Sequence, residues 1–259
     1  MKLLRSLGVA AALAAMSAVP AAAQSALSEI LEGGVLKVGT TGDWNPMSVR
    51  DPATNSYKGF DIDVMEALAA DLGVTVEFVP TDWKTLVNGV VAGKYHMTGS
   101  ASISPPRMKV AGFSDSYISV VILPFTTKDK ADRFDGWDSI NQPGVKVATT
   151  LGTTFEQSVK KWFPNAEISV VEAPARGYQE VLAGRADVFV TSNIEGATLT
   201  QKFPDLASIR VDEPRDPAAI AMLLPQGDQV WINYVDKWIE MKKTGGFFRE
   251  VAAKWGLAD

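Results

Sequence analysis

Two stretches decide the fold: Ala92-Gly-Lys-Tyr-His-Met-Thr-Gly-Ser100 and Ala183-Gly-Arg-Ala-Asp-Val-Phe-Val-Thr-Ser192. Each reads as a helix end, a glycine stop, a short strand and a hydroxyl-rich run at the strand's C-terminal edge. Around the first, the pattern predicts a strand at 35–39, an amphipathic helix at 61–72 closed by Gly73, a strand at 75–80, a helix at 83–91 stopped by Gly93 and a strand at 95–98. The second repeats this grammar, with strands at 145–150, 168–171 and 187–191 and helices at 154–163 and 177–183. Alternation of this kind specifies an α/β fold.

A unit written twice implies two similar lobes. Open α/β sheets bind ligands at the C-terminal ends of their strands, so the polar loops are expected to face one another across a cleft. A short helix at 25–32 leads into the first lobe. The chain is expected to cross to the second lobe near 118–121 and to return near 217–221, with a strand at 218–224 rejoining the first. This gives lobes of 24–119 plus 219–259 and of 120–218. Amphipathic helices follow at 229–242 and 247–255, and their aromatics belong to the core.

Lys2 and Arg5 precede an apolar run from Leu7 to Val19 that closes on Ala21-Ala-Ala23. This reads as a secretory signal peptide over 1–23, cleaved after Ala23, and implies export by the Sec route to the periplasm. The apolar run falls short of the roughly 20 residues needed to span a bilayer. Losing Lys2 and Arg5 takes the formal charge from −5 to −7, and with no basic stripe that balance argues against a nucleic-acid partner. Cysteine is absent, which excludes disulfides, thiolate metal sites and a cysteine nucleophile. His96 is the single histidine, so no site needing two can form. Phosphate-loop, dinucleotide, nucleophile-elbow and zinc-helix motifs are missing as well.

The candidates for chemistry lie at strand ends. In the first lobe they are Asp43, Trp44 and Trp83, then Ser100, Ser102 and Arg107 in the run Ser100-Ala-Ser-Ile-Ser-Pro-Pro-Arg107. A loop of hydroxyls with one arginine offers donors to an anion, and a guanidinium grips a carboxylate through two parallel hydrogen bonds. The alternative is a surface loop in which Arg107 pairs with Asp115. Trp44 and Trp83 either wall a pocket or pack as core. The second lobe contributes Thr149, Thr150, Gly152, Thr153 and Thr154, whose hydroxyls and N–H groups sit where a helix begins. An N-cap by Thr153 or Thr154 is compatible with that role. Ser192 and Glu195 follow the last strand. A glutamate facing the cleft serves as counter-ion or general acid, and one facing solvent is an ordinary helix-start residue.

Six segments together resemble the bacterial family 3 extracellular solute-binding proteins, which deliver polar amino acids to ABC importers. They are Val38-Gly-Thr-Thr-Gly-Asp-Trp-Asn-Pro46, Gly59-Phe-Asp-Ile-Asp63, Ser102-Ile-Ser-Pro-Pro-Arg107, Phe113-Ser-Asp-Ser-Tyr117, Leu151-Gly-Thr-Thr154 and Ala183-Gly-Arg-Ala-Asp187. Thr40-Thr-Gly-Asp43, Pro80-Thr-Asp-Trp83, Gln142-Pro-Gly-Val145 and Ile194-Glu195 are similar to the cyclohexadienyl dehydratase branch. The resemblance implies a two-lobed type II periplasmic-binding fold with the ligand between the lobes. It places Arg107 on the ligand's α-carboxylate, Ser102 and Thr153 or Thr154 as further donors, and Trp44 stacked on the ligand.

Ser192 stands where amino-acid binders carry an aspartate for the ammonium group, which is a departure. Glu195 aligns with the dehydratase's proton-donating glutamate, whereas Thr149-Thr150 replaces an asparagine of that enzyme. His96 stands in place of an aspartate and carries no functional reading. The expected function is capture of a small carboxylate-bearing ligand, an amino acid or related organic acid, for an importer permease. The alternative is a prephenate or arogenate dehydratase with Glu195 as general acid. Neither implies a cofactor or metal; a monomer is expected for the binder and a homo-oligomer for the enzyme.

Overall fold

The computed structural model describes residues 24–257, and the signal peptide read over 1–23 lies outside them. In the first lobe, strand Val35–Thr40 lies between Thr75–Pro80 and Met97–Thr98, all parallel. In the second, Lys146–Thr150 lies between Glu167–Val171 and Val188–Ser192, again parallel. The sequence echo is an echo in register: Met97 pairs with Val38, and its counterpart Val188 pairs with Val147. Gly93 and Gly184 both take left-handed φ, +65° and +70°, where the chain turns from helix to strand.

Two ten-residue strands carry the chain between the lobes. Ile118–Thr127 pairs antiparallel with Ala218–Ile220 at its start and with Phe189–Ser192 further on. Arg215–Leu224 runs back, pairing with Ser100–Ser102 and then with Gly112–Phe113. The segments 118–121 and 217–221, expected as crossings, pair with each other antiparallel, Val120 with Ala218 and Ile118 with Ile220. The run 100–107, read as a loop, is instead a strand followed by a turn of helix, Pro105–Met108. All three residues of Ser-Ala-Ser are buried, Ala101 fully, as small side chains in a strand covered on both faces.

Helix ends follow local chemistry. Phe60–Leu72 carries Asp61 and Asp63 in its first turn and ends at Gly73, whose φ is +73°. The helix expected from 83 starts only at Leu86, because the Asp82 carboxylate accepts from Thr85 N and Oγ1 and holds 82–85 as a turn. Asp228 caps Gln229–Thr244 through Trp231 N and also accepts from Ser25 Oγ and Ala26 N, tying helix Ala26–Gly33 to this one. Trp231, Trp238 and Phe248 are buried in the first lobe's core with Leu36, Phe60 and Met97. The second lobe has its own cores, around Val147 and Phe163 and around Phe125 and Phe189. His96 accepts a hydrogen bond from Lys37 N at 3.0 Å through Nδ1 and so serves the strand edge. Among the described residues no helix is long and apolar enough to cross a membrane, and no cluster of metal-ligating side chains forms.

Candidate functional site in the inter-lobe cleft

Strand Val35–Thr40 delivers Asp43 and Trp44 to the cleft, and strand Thr75–Pro80 delivers Trp83. The two indoles meet edge to face, 5.9 Å between centroids at 73°, and Trp83 Nε1 donates to Asp43 Oδ1 at 2.9 Å. They wall a cavity of about 320 Å³ whose other sides are Ser102 and Arg107 from the first lobe and Thr153, Thr154, Phe155 and Arg176 from the second.

Arg107 is 8% exposed and has no acidic partner among the described residues. Its Nη1 donates to Ser102 O at 3.1 Å and its Nη2 reaches Gly152 O of the other lobe at 3.4 Å. Burial alone pulls the guanidinium down to about 10, with no neighbouring carboxylate to hold it up. The pairing with Asp115 does not form; Asp115 N instead donates to Asp236.

The second lobe's floor holds an acid and a second arginine. Arg176, buried, donates from Nη1 to Asp43 Oδ2 at 2.8 Å and from Nη2 to Glu195 Oε1 and Oε2 at 2.8 and 2.9 Å. Burial pushes the Glu195 carboxyl up, and Arg176 and the Thr191 hydroxyl, which donates to Oε2, pull it back. Burial pulls Arg176 down, but Glu195 and Asp43 raise it further than burial lowers it. Glu195 also lies in the first turn of Asn193–Lys202, where the helix dipole favours an anion. Thr149, Thr150, Thr191 and Glu195 line a second chamber of about 290 Å³, which shares Thr153, Phe155 and Arg176 with the first. Trp44 Nε1 and Thr149 Oγ1 are buried without a hydrogen-bond partner.

The other sequence candidates sit as follows. Thr153 caps Thr154–Trp162 through Glu156 N. Ser192 is fully buried, caps the next helix through Glu195 N and lines neither chamber. Ser100 turns toward Asp61, donating from Oγ to Oδ1 at 2.6 Å and from N to Oδ2 at 3.1 Å, and lines a first-lobe cavity of about 330 Å³ that shares Trp44 and Trp83 with the front one. Gly152, at φ +79°, packs on the backbone of Trp83 and Lys84. Arg176, Phe155 and Tyr178 were not among the sequence candidates. The retrievable signal for Arg176 was its place just past strand Glu167–Val171 and before helix Gly177–Leu182, the position Trp83 holds in the first lobe.

The bacterial extracellular solute-binding proteins, family 3, match this sequence over residues 36–258. The chain belongs to this solute-binding family. Among the relatives of this solute-binding protein is the cyclohexadienyl dehydratase of Pseudomonas aeruginosa, 33% identical over 235 residues, with 90% of this chain and 87% of that protein covered. The L-cystine-binding protein TcyA of Bacillus subtilis is 25% identical over 230 residues, covering 88% and 83%. The crystal structure of AncCDT-1, an ancestral amino acid-binding protein and precursor of cyclohexadienyl dehydratase, shares the fold with a TM-score of 0.83. It is 36% identical and covers 89% of this chain and 99% of that one.

Proposed function

We propose that this solute-binding protein captures a small carboxylate-bearing ligand, an amino acid or related organic acid, in the periplasm and presents it to an ABC importer. The observation that carries this reading is Arg107, a buried cation lining the cavity with only carbonyl oxygens for partners. A buried charge without a counter-ion is costly, and a ligand carboxylate would supply one through the guanidinium's remaining N–H groups. Trp44 and Trp83 give the ligand rigid apolar walls. Contacts between the lobes, Arg107 to Gly152 and Arg176 to Asp43, belong to a closed arrangement. A ligand that joins both faces shifts the open–closed equilibrium toward that arrangement, and the importer reads it. The amino-acid-binding relatives support the same reading.

The test is a thermal-shift and calorimetric screen of amino acids and organic acids. A ligand at 100 times its Kd adds about 2.7 kcal/mol of stability. At least one carboxylate is expected to shift the unfolding temperature, and Arg107→Ala is expected to abolish the shift. No shift with any carboxylate, or a shift that survives Arg107→Ala, would overturn the reading.

A second reading, prephenate or arogenate dehydratase, is favoured by Glu195, a carboxyl at the cleft floor whose protonated form burial supports. The dehydratase relative strengthens it. In that reading Glu195 gives its proton to the departing ring hydroxyl, which leaves as water while the ring carboxylate leaves as CO2. Arg176, holding both Glu195 oxygens, opposes the proton and favours the binder. Phenylpyruvate formed from prephenate above the spontaneous rate would establish the enzyme.

A further inference from the structure

Among the described residues, the buried part of the cleft brings together two acids, Asp43 and Glu195, and two arginines, and they are not shared evenly. Arg107 stands without an acid, whereas Arg176 takes both Asp43 and Glu195. Every carboxylate oxygen of that acidic pair is occupied: Asp43 Oδ1 by Trp83 Nε1, Asp43 Oδ2 and Glu195 Oε1 by Arg176, and Glu195 Oε2 by Arg176 and Thr191. Arg176 also lies between the front cavity and the chamber that ends at Glu195, lining both together with Thr153 and Phe155. Its guanidinium therefore sits where a ligand's cationic end would otherwise reach the two acids.

We propose that Arg176 is the specificity-determining residue of the cleft, a built-in cation that fills the acidic half so that the ligand has to bring only its carboxylate to Arg107. Cationic ligands are excluded twice, by the space Arg176 occupies and by the carboxylate oxygens that it, Trp83 and Thr191 already hold. With Arg176 cut back, the two chambers become one channel, anion-binding at Arg107 and cation-binding at Asp43 and Glu195. That channel suits a molecule with a carboxylate at one end and a guanidinium or ammonium at the other. The inference rests on reading Arg107 as a carboxylate anchor, but its gain-of-binding test does not depend on knowing the natural ligand.

The experiment compares L-arginine with L-citrulline, nearly the same shape without the side-chain charge, by calorimetry on the wild-type protein and on Arg176→Ala. L-arginine is expected to bind Arg176→Ala at least tenfold more tightly than the wild type, with L-citrulline changing less than threefold. An equal gain for L-citrulline would mean that Arg176 governs space alone, and no gain for L-arginine would overturn the proposal. If Arg176→Ala does not accumulate folded, Arg176→Gln removes the charge at similar length and the same comparison decides. Failure of the carboxylate reading is separate: it shows as a wild-type protein indifferent to every carboxylate and to Arg107→Ala.

Discussion

Gly152 lies so close to Lys84 that a Cβ on the glycine would come within 2.5 Å of the Lys84 backbone nitrogen. The two residues belong to different lobes, so the contact exists only when the cleft is shut. Gly152 also holds φ +79°, which costs an L-residue about 1–2 kcal/mol. Gly152→Ala is therefore expected to penalise the closed form far more than the open one. Ligand affinity falls at least tenfold, since each 1.4 kcal/mol is a factor of ten, while the left-handed φ, common to open and closed forms, lowers the unfolding temperature of the ligand-free protein by a few degrees, about 2–4 °C per kcal/mol. Calorimetric titration checks this, and an unchanged affinity would show that closure does not press 152 on 84.

Two ion pairs also cross the cleft, and they differ in kind. Lys84 and Glu172 are 59% and 65% exposed, where a pair contributes about 0–1 kcal/mol and is screened by salt. Arg176 and Asp43 are 9% and 16% exposed, and the guanidinium cannot find water if the pair breaks in place. Glu172→Gln is expected to leave the ligand-free protein as compact as before, whereas Asp43→Asn shifts it toward the open form. Radius of gyration from small-angle scattering distinguishes them, and equal values for the two variants would contradict the assignment of the latch to Asp43.

The strand-and-helix grammar was legible because each element carries its own local code. The glycine stops at 93 and 184 and the hydroxyl cap at Thr153 act within a few residues of themselves. The first lobe's strand pairing could be transferred to the second because the echo preserves register. Arg176 was harder to read, since its partners Asp43 and Glu195 lie 133 and 19 positions away and only its place past a strand end separates it from Arg185, which pairs with Glu180 at the surface. Ser100 misled for the same reason. A hydroxyl beside Arg107 in sequence is drawn away by Asp61 and Tyr117, contacts that only the packed lobe creates.

Asp61 makes stability depend on pH in an unusual sense. Burial raises its carboxyl from 3.8 to about 6, against the pull of hydrogen bonds from Ser100 and Tyr117. Because the folded protein holds this proton more tightly than the unfolded chain, the contribution is full below pH 3.8 and is lost as pH rises through about 6. The shift of roughly two units corresponds to about 3 kcal/mol. Asp61→Asn keeps an acceptor for Ser100 N and removes the titration. Its stability relative to wild type is expected to improve between pH 4 and 7 by up to that amount, measured by urea unfolding at stepped pH. A difference that stays flat with pH would mean that Asp61 is ionised in the fold throughout.

Glycine in a helix ordinarily costs about 1 kcal/mol relative to alanine, and this chain offers two that should respond with opposite sign. Gly33 closes helix Ala26–Gly33 with nothing within 4 Å of a Cβ, so Gly33→Ala is expected to stabilise by about 0.5–1 kcal/mol. Gly196 lies inside helix Asn193–Lys202, where a Cβ would overlap the Phe125 ring. That ring is itself stacked on Phe189 at 5.3 Å between centroids, in a buried cluster with Leu199 and Leu206. Neither aromatic can yield without displacing the sheet, and overpacking of this kind costs about 1–3 kcal/mol, more than the helix gains. Gly196→Ala should therefore lower the unfolding temperature while Gly33→Ala raises it. A rise in both would show that helix Asn193–Lys202 can slide off Phe125, and with it that Glu195 is less rigidly presented to Arg176 than its two hydrogen bonds imply.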